Sequence, residues 1–574
     1  MFAKLDSNKA YNLALSWILV SVLYFANKQM DLVNLHSVKY LAIILFIVAV
    51  FSIWLLINRL KDQRVVKLAM IVFSTLYFTA AAVINREQYF AIGLCVVLGI
   101  IILSTDIKDI RPRIGNKTFR RSILFLCLLF VVLVGGNCCL IYINHWTACY
   151  DFGIFSQMFH YMKETGIPFT TCERDVLMSH FSVHMSPIYY LILPFYYLFP
   201  SPITLELMQS LIVMSGIIPL ALIMRKHSLG KASMIIFSLI YLFFPGFVGG
   251  CFYHLHENCF LAPLVLWLIY FCEKELWYGQ ALFSILLLAV KEDAAVYVAV
   301  IALYFLFTHK NYKCNLCIFI VSIAYFVGIT RYLSTYGDGV MLYRYNNYLQ
   351  DGEGTLSILS TAISDPVYVI SQISVADKLK FMFLTLMPMG FLPIITKDFK
   401  RAILMLPWIL INLMPNYHYQ YDMRYQYCFG TCAILVYLAV LNYADLKEKH
   451  RDKLLLYGAC CTIVLCSSIN YDHLGYIDFF NRSAEKRAKI NYAVSLVPED
   501  ASVTATAFFV ADFSDHDVVY ELERTDNKTE YYVVDLRQEN DKYSVDDYLN
   551  DDYETLYYEP DVVAVFRRID ETDD

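Results

Sequence analysis

The constraint that dominates this chain is a repeated one: apolar runs of near membrane-spanning length, separated by short charged segments. Tyr11–Phe25, Tyr40–Ile57, Leu68–Ile84 and Tyr89–Leu103 open the series, and Ser122–Ile143 and Ile203–Met224 continue it. Further runs lie at Ala232–Val248, Phe260–Phe271, Ala281–Val290, Ala294–Phe307, Cys314–Thr330, Phe381–Ile395, Ile403–Met414, Cys428–Leu441 and Leu454–Ser468. Inside a bilayer the backbone must satisfy its own N–H and C=O groups, which makes such runs helices. Hydrophobic residues make up 58% of the chain and charged ones 17%, whereas a soluble domain carries roughly 25% charged residues. The sequence therefore predicts a polytopic α-helical membrane protein of about fifteen spans.

Charge orients the spans. The segments NRLKDQRVVK and DIKDIRPRIGNKTFRR are basic, and Asn85–Gln88 between them is not. Cytoplasmic loops carry the Lys/Arg excess, so the N-terminus is expected inside, and Ser122–Ile143 delivers the long loop His145–Pro187 to the outer face. No cleavable signal peptide is expected, so the first run stays as an anchor. Ile188–Phe199 is apolar but only twelve residues long, between Pro187 and Pro200. As a helix it covers about 18 Å of a hydrocarbon core of about 30 Å, which makes it re-entrant or interfacial. Lys291-Glu292-Asp293 parts two short apolar pieces and reads as a broken hairpin lining a protein-walled cavity.

Three regions follow: additional N-terminal helices with a basic cytoplasmic loop over 1–121, a membrane core over 122–469, and an acidic outer domain over 470–574. From Tyr471 onward 26 acidic residues face 10 basic ones, which argues against a nucleic-acid partner. The runs SVTATAFF, YYVV and VVAVF predict strands and Ala484–Leu496 a helix, hence a small α/β domain outside the membrane. Most cysteines sit in apolar runs and act as small hydrophobes. Cys149 and Cys172 share the outer loop, where either a disulfide or two free thiols is open.

Polar groups capable of chemistry gather in four segments of the same predicted face. The long loop holds Asp151, His160, Glu164, Glu173, Asp175, His180 and His184; CFYHLHENC holds His254, His256, Glu257 and Asn258; Lys291-Glu292-Asp293 is the third; NYHYQYDMRYQY holds His418, Asp422 and Arg424. Arg344 lies within YRYNNY between the last two. Cations suit a phosphate, a carboxylate suits proton removal from a hydroxyl, and aromatics suit a sugar face. Singly each has a plainer reading. Asp151 could cap a helix, Lys-Glu-Asp could neutralise itself, and Arg424 with its tyrosines could form an interfacial belt. His180 and His184 would share a helix face, leaving a divalent metal as an alternative.

The order of Asp151-Phe152-Gly153-Ile154-Phe155-Ser156-Gln157, His184-Met185-Ser186-Pro187, Phe199-Pro200-Ser201-Pro202, His256-Glu257, Lys291-Glu292-Asp293 and Val497-Pro498-Glu499-Asp500-Ala501-Ser502-Val503 resembles the domain-of-unknown-function 2079 family of bacterial predicted membrane proteins. In layout that family is similar to the GT-C superfamily of integral membrane glycosyltransferases. The resemblance implies a multi-pass protein of the bacterial plasma membrane and a polyprenyl-phosphate sugar donor among the membrane lipids. It makes Asp151 the general base and Lys291, Arg344 or Arg424 the phosphate ligands, with His184, His256, Glu257, Glu292 and Asp293 as further substrate-binding candidates. The first loop lacks the paired Asp-Asp or Asp-Glu of some GT-C enzymes, which leaves the metal requirement open. A lipid or polyprenyl-linked substrate flippase is the alternative, since broken helices with intramembrane charge also serve transporters.

Overall fold

The computed structural model describes residues 7–30, 39–60, 62–105, 114–147, 150–310, 312–339, 341–349, 354–538 and 542–569. Four helices open the chain, α1 (Ser7–Met30), α2 (Lys39–Asn58), α3 (Gln63–Asn85) and α4 (Gln88–Ser104). Asp62 caps α3 by accepting from the Arg64 N–H, and Arg86 ends it in a left-handed conformation, φ 66°, donating its N–H to the Ala82 carbonyl. α5 (Asn116–Phe130) and α6 (Gly136–Ile143) form one rod through a π turn at Val131–Gly135.

α7 (Tyr150–Thr165) follows, then the hairpin of β1 (Phe169–Thr170) and β2 (Met178–Ser179), and the short α8 (Leu193–Leu198). The apolar stretch around α8 leaves Phe195, Tyr197, Leu198 and Phe199 exposed at its surface. The bundle continues with α9 (Pro202–Ser215), α10 (Ile217–Lys226), α11 (Lys231–Leu242), α12 (Pro245–Phe252), α13 (Leu261–Glu273), α14 (Trp277–Leu288), α15 (Ala294–Thr308) and α16 (Tyr312–Tyr336). α17 (Thr355–Ser364), α18 (Pro366–Ile373) and α19 (Ala376–Leu386) lead to α20 (Phe429–Asp445) and α21 (Glu448–Ile469).

By length and composition, eight helices among the described residues are able to cross a membrane, and four apolar helices of 10–17 residues lie beside them. Several expected runs prove shorter or interrupted. α13 has 13 residues and α14 has 12. The runs expected at Phe381–Ile395 and Ile403–Met414 break into 3-10 turns at Met387–Met389, Leu392–Ile394 and Phe399–Met405 and a π turn at Trp408–Leu413. Pro388, Pro393 and Pro407 explain this, because proline removes a backbone donor and clashes with the preceding turn. These irregular pieces are held inside protein: Asn412 donates to the Gln420 and Tyr427 carbonyls, and Asn442 to those of Leu392 and Pro393.

The tail begins with α22 (Tyr471–Leu474), α23 (Tyr476–Arg482) and α24 (Ala484–Val494). Its strands are β3 (Val503–Ala505), β4 (Val519–Glu521), β5 (Tyr531–Asp535), β6 (Tyr553–Glu559) and β7 (Val563–Arg568). They form one sheet in the order β4-β3-β5-β7-β6. β3 runs parallel to both β4 and β5, and β7 runs antiparallel to β5 and β6. SVTATAFF supplies only the three residues of β3, and Phe509 turns into the adjoining core. The tail does not hang free, since Phe509, Val510 and Phe513 join Phe152, Phe155 and Phe159 of α7 in one continuous buried apolar cluster. Polar contacts fix its angle. His145 meets Asp512 at 2.7 Å and Asn491 at 2.8 Å. Arg537 binds Asp535, donates to the His145 carbonyl at 2.6 Å and lies 4.2 Å over the Trp146 ring.

Candidate active site

α7 enters the site because Gly153 lets it lie against the tail. A Cβ there would stand 2.5 Å from the Val510 Cγ1. Gln157, one turn further along, knits helix, hairpin and tail together. It accepts from the Thr171 N–H at 2.8 Å and donates to the His516 carbonyl at 3.1 Å. This scaffold sets Asp151, in the first turn of α7, on the rim of a cavity of about 480 Å³. Tyr253, at the end of α12, donates to Asp151 Oδ2 at 3.0 Å.

The cavity gathers residues from six distant parts of the chain. Asp151, Glu173, His180 and His184 come from the first loop, His256 from the turn before α13, Lys291 from the turn before α15, and Arg344 from the 3-10 segment Leu342–Tyr348. Arg524, in the tail, closes one side. Tyr343, Tyr417, Tyr419, Tyr425 and Tyr427 form an aromatic wall. Part of that wall approaches α12 closely, since a Cβ on Gly249 would stand 2.2 Å from the Met423 carbonyl oxygen.

The cations differ in how far they are neutralised. Lys291 is buried, with Nζ 2.9 Å from Glu257 Oε1. Glu257 also lies 3.0 Å from His256 Nδ1 and accepts from the Tyr189 hydroxyl at 2.7 Å. Arg344 is different. Its guanidinium stacks 4.5 Å from the Tyr417 centroid and 5.2 Å from that of Tyr427, and its buried Nε has no hydrogen-bond partner among the described residues. A largely enclosed guanidinium with no carboxylate paired to it among the described residues is suited to an anion.

Two histidine–carboxylate pairs shape the floor. His180 Nδ1 meets Glu173 Oε2 at 2.9 Å, and His184 Nδ1 meets Glu292 Oε1 at 2.9 Å. Burial disfavours the His180 imidazolium, but the Glu173 carboxylate outweighs it and holds the group above its ordinary value. Conversely, burial and the Lys291 charge push His184 down. Glu292 resists its own burial, since His184 and Lys291 draw it to about 2. For Asp293 burial outweighs the pull of Lys291 and pushes the group up to about 6.

Of the residues predicted from sequence, Asp151, His184, His256, Lys291 and Arg344 line the cavity together. Glu257 and Glu292 stand behind it and hold its cation and imidazoles. Asp293 is not among the lining residues, and neither is Arg424, which pairs with Asp422 at 2.6 Å and faces an adjoining pocket. Sequence reasoning named Glu173 only as a member of the polar loop, weighed His180 only as a metal ligand, and gave no role to Tyr253 or Arg524. The first two carried a signal, an acid and an imidazole in one polar loop. Arg524 carried none, since only folding brings it across from the tail. Among the described residues no group of three or more His, Cys, Asp or Glu is placed to hold a metal ion. Cys149 lies outside the described residues, and so does the disulfide considered for it. Cys172 is buried, with its thiol donating to the Val519 carbonyl at 3.2 Å.

The family described as "Predicted membrane protein (DUF2079)" matches residues 144–562, well over half of the chain. No curated protein matches the sequence. Among solved structures, the crystal structure of ArnT from Cupriavidus metallidurans in the apo state is similar to this chain at 10% identity and a TM-score of 0.41. That likeness covers 77% of this chain and 97% of the other.

Proposed function

The chain belongs to the DUF2079 family of predicted membrane proteins, and from that premise we propose that it is a membrane glycosyltransferase. It moves a sugar from a polyprenyl-phosphate carrier to an extracytoplasmic lipid, glycan or protein acceptor. The observation that carries this reading is the meeting of Asp151 with Arg344 and Lys291 in one tyrosine-walled cavity. A phosphate-linked sugar needs those three chemistries side by side.

In the proposed step the acceptor oxygen attacks the anomeric carbon from the face opposite the phosphate. The acceptor O–H gives its proton to Asp151 as the new C–O bond forms. The old bond breaks towards the phosphate oxygen, which leaves as an anion and needs no general acid. Arg344 and Lys291 take up the charge that grows there. The tyrosine wall stacks on the sugar, and Tyr253 orients the Asp151 carboxylate. The basic loops on the opposite side support an outward-facing site.

The test is transfer by the purified chain in lipid, using radiolabelled polyprenyl-phosphate sugars. Wild type is expected to consume carrier, and Asp151→Asn to lose transfer by at least about a hundredfold, as for loss of a general base, while remaining folded. Near-normal transfer by the variant would overturn the base assignment. Labelled lipid crossing the bilayer without turnover would favour the flippase.

A further inference from the structure

A second polar pocket, of about 360 Å³, shares a wall with the first. The segment 417–427 divides them. Tyr417, Tyr419, Tyr425, Gln426 and Tyr427 face the candidate active site, and His418, Tyr421, Asp422 and Arg424 the second pocket. Its opposite side comes from Arg86–Tyr89, the turn between α3 and α4, and its base from α19. The additional N-terminal helices therefore complete this pocket while contributing nothing to the lining of the first.

The charges in it are balanced and mixed. Arg424 is paired with Asp422 at 2.6 Å, and Lys380 with Asp377 at 2.9 Å. That leaves Arg86, stacked 4.5 Å from the Tyr471 centroid, and Glu87 beside it, with no ion pair for either among the described residues. One open cation next to one open anion fits a ligand carrying both signs. The apolar surroundings identify its source. Tyr89 lines the pocket and is exposed, and Ile84, Phe90, Leu379 and Phe383 are exposed on the helices that flank it, so the pocket adjoins helix surface suited to hydrocarbon. Its volume lies within the range of about 300–1,000 Å³ usual for small-ligand sites. Arg86 also occupies its left-handed position at a conformational cost that glycine or asparagine would avoid.

The geometry points to a binding site for the head group of a zwitterionic phospholipid. Arg86 holds the phosphate, Glu87 takes the ammonium, and the acyl chains run along the exposed apolar residues of α4 and α19. This is independent of the transferase reading, because neither residue lines the first cavity and the test involves no turnover.

Native mass spectrometry of the full chain in detergent, loaded with equal amounts of phosphatidylethanolamine and phosphatidylglycerol, decides the matter. Wild type is expected to retain phosphatidylethanolamine preferentially. Arg86→Gln and Glu87→Gln, each on an exposed turn, should lower that retention by about tenfold, as for one charge-assisted hydrogen bond, without moving the thermal midpoint. Equal retention of the two lipids by wild type would overturn the proposal, as would undiminished preference in both variants. Water-soluble glycerophosphoethanolamine is the arm for source. Displacement of the lipid by it at equal concentration would overturn the lipid assignment in favour of a soluble ligand.

Discussion

His180 and Glu173 illustrate how one residue pair can make the loop between α7 and α8 sensitive to pH. The imidazole is held above its ordinary 6.5 and the carboxylate below its ordinary 4.5, each against the cost of its own burial. The raised histidine stabilises fully below pH 6.5 and loses that contribution as pH rises through its folded value. The depressed carboxylate stabilises fully above pH 4.5 and loses its contribution as pH falls through its folded value. Both are present between these limits. The unfolding free energies of wild type and Glu173→Gln should therefore differ most between about pH 4.5 and 6.5, by on the order of 3 kcal/mol for a broken buried pair, read from thermal melts across that range. The gap should narrow on either side. A gap independent of pH would mean that the pair is not ionised. Lys291 follows the same physics: its buried charge is tolerable because Glu257 faces it, and Glu257 is itself held by His256 and Tyr189.

At the scale of the element, α7 is what brings a catalytic candidate and the tail together. A helical glycine is normally improved by alanine, by up to about 1 kcal/mol. At Gly153 the sign should reverse, because the added Cβ would meet Val510 at 2.5 Å. Gly153→Ala is expected to cost about 1–3 kcal/mol, as overpacking does, and to weaken transfer by shifting Asp151. Adding Val510→Ala should restore both. Thermal midpoint and transfer rate of the two variants check this, and a more stable Gly153→Ala protein would show that α7 does not press on the tail. The broken helices after α19 give the contrasting lesson. Their prolines leave 3-10 and π turns, of which Asn442 satisfies the Leu392 and Pro393 carbonyls, while Asn412, inside the π turn, holds the Gln420 and Tyr427 carbonyls of the wall 417–427 that reaches the cavity.

At the scale of the molecule, the tail acts as a fixed cover. Arg537 joins it to the bundle through Asp535, the His145 carbonyl and the Trp146 ring. Arg537→Gln leaves Asp535 buried without its cation, a loss of about 3–5 kcal/mol for such pairs. The tail should then be cut by protease much faster than in wild type, while the membrane helices stay resistant. Transfer should fall with it, since Arg524 reaches the cavity from the tail. An unchanged digestion pattern would refute the role given to Arg537.

The sequence by itself determined the membrane class, the presence of strands in the tail, and the candidacy of Asp151, His184, His256, Lys291 and Arg344, which meet in one cavity. Hydrophobic run length, charge and period 2 are local properties, and local properties survive without a fold. Only the tertiary structure decided that Arg424 belongs to a neighbouring pocket, that Glu173 pairs with His180, and that Arg524 crosses from the tail. It also gave the added N-terminal helices a place, because the turn at Arg86 completes a pocket begun some 300 residues later, at Asp377. Those assignments depend on which backbones approach within a few ångströms, at Gly153 and Gly249 above all. Close approach is settled by packing the whole chain at once, and no window of sequence contains it.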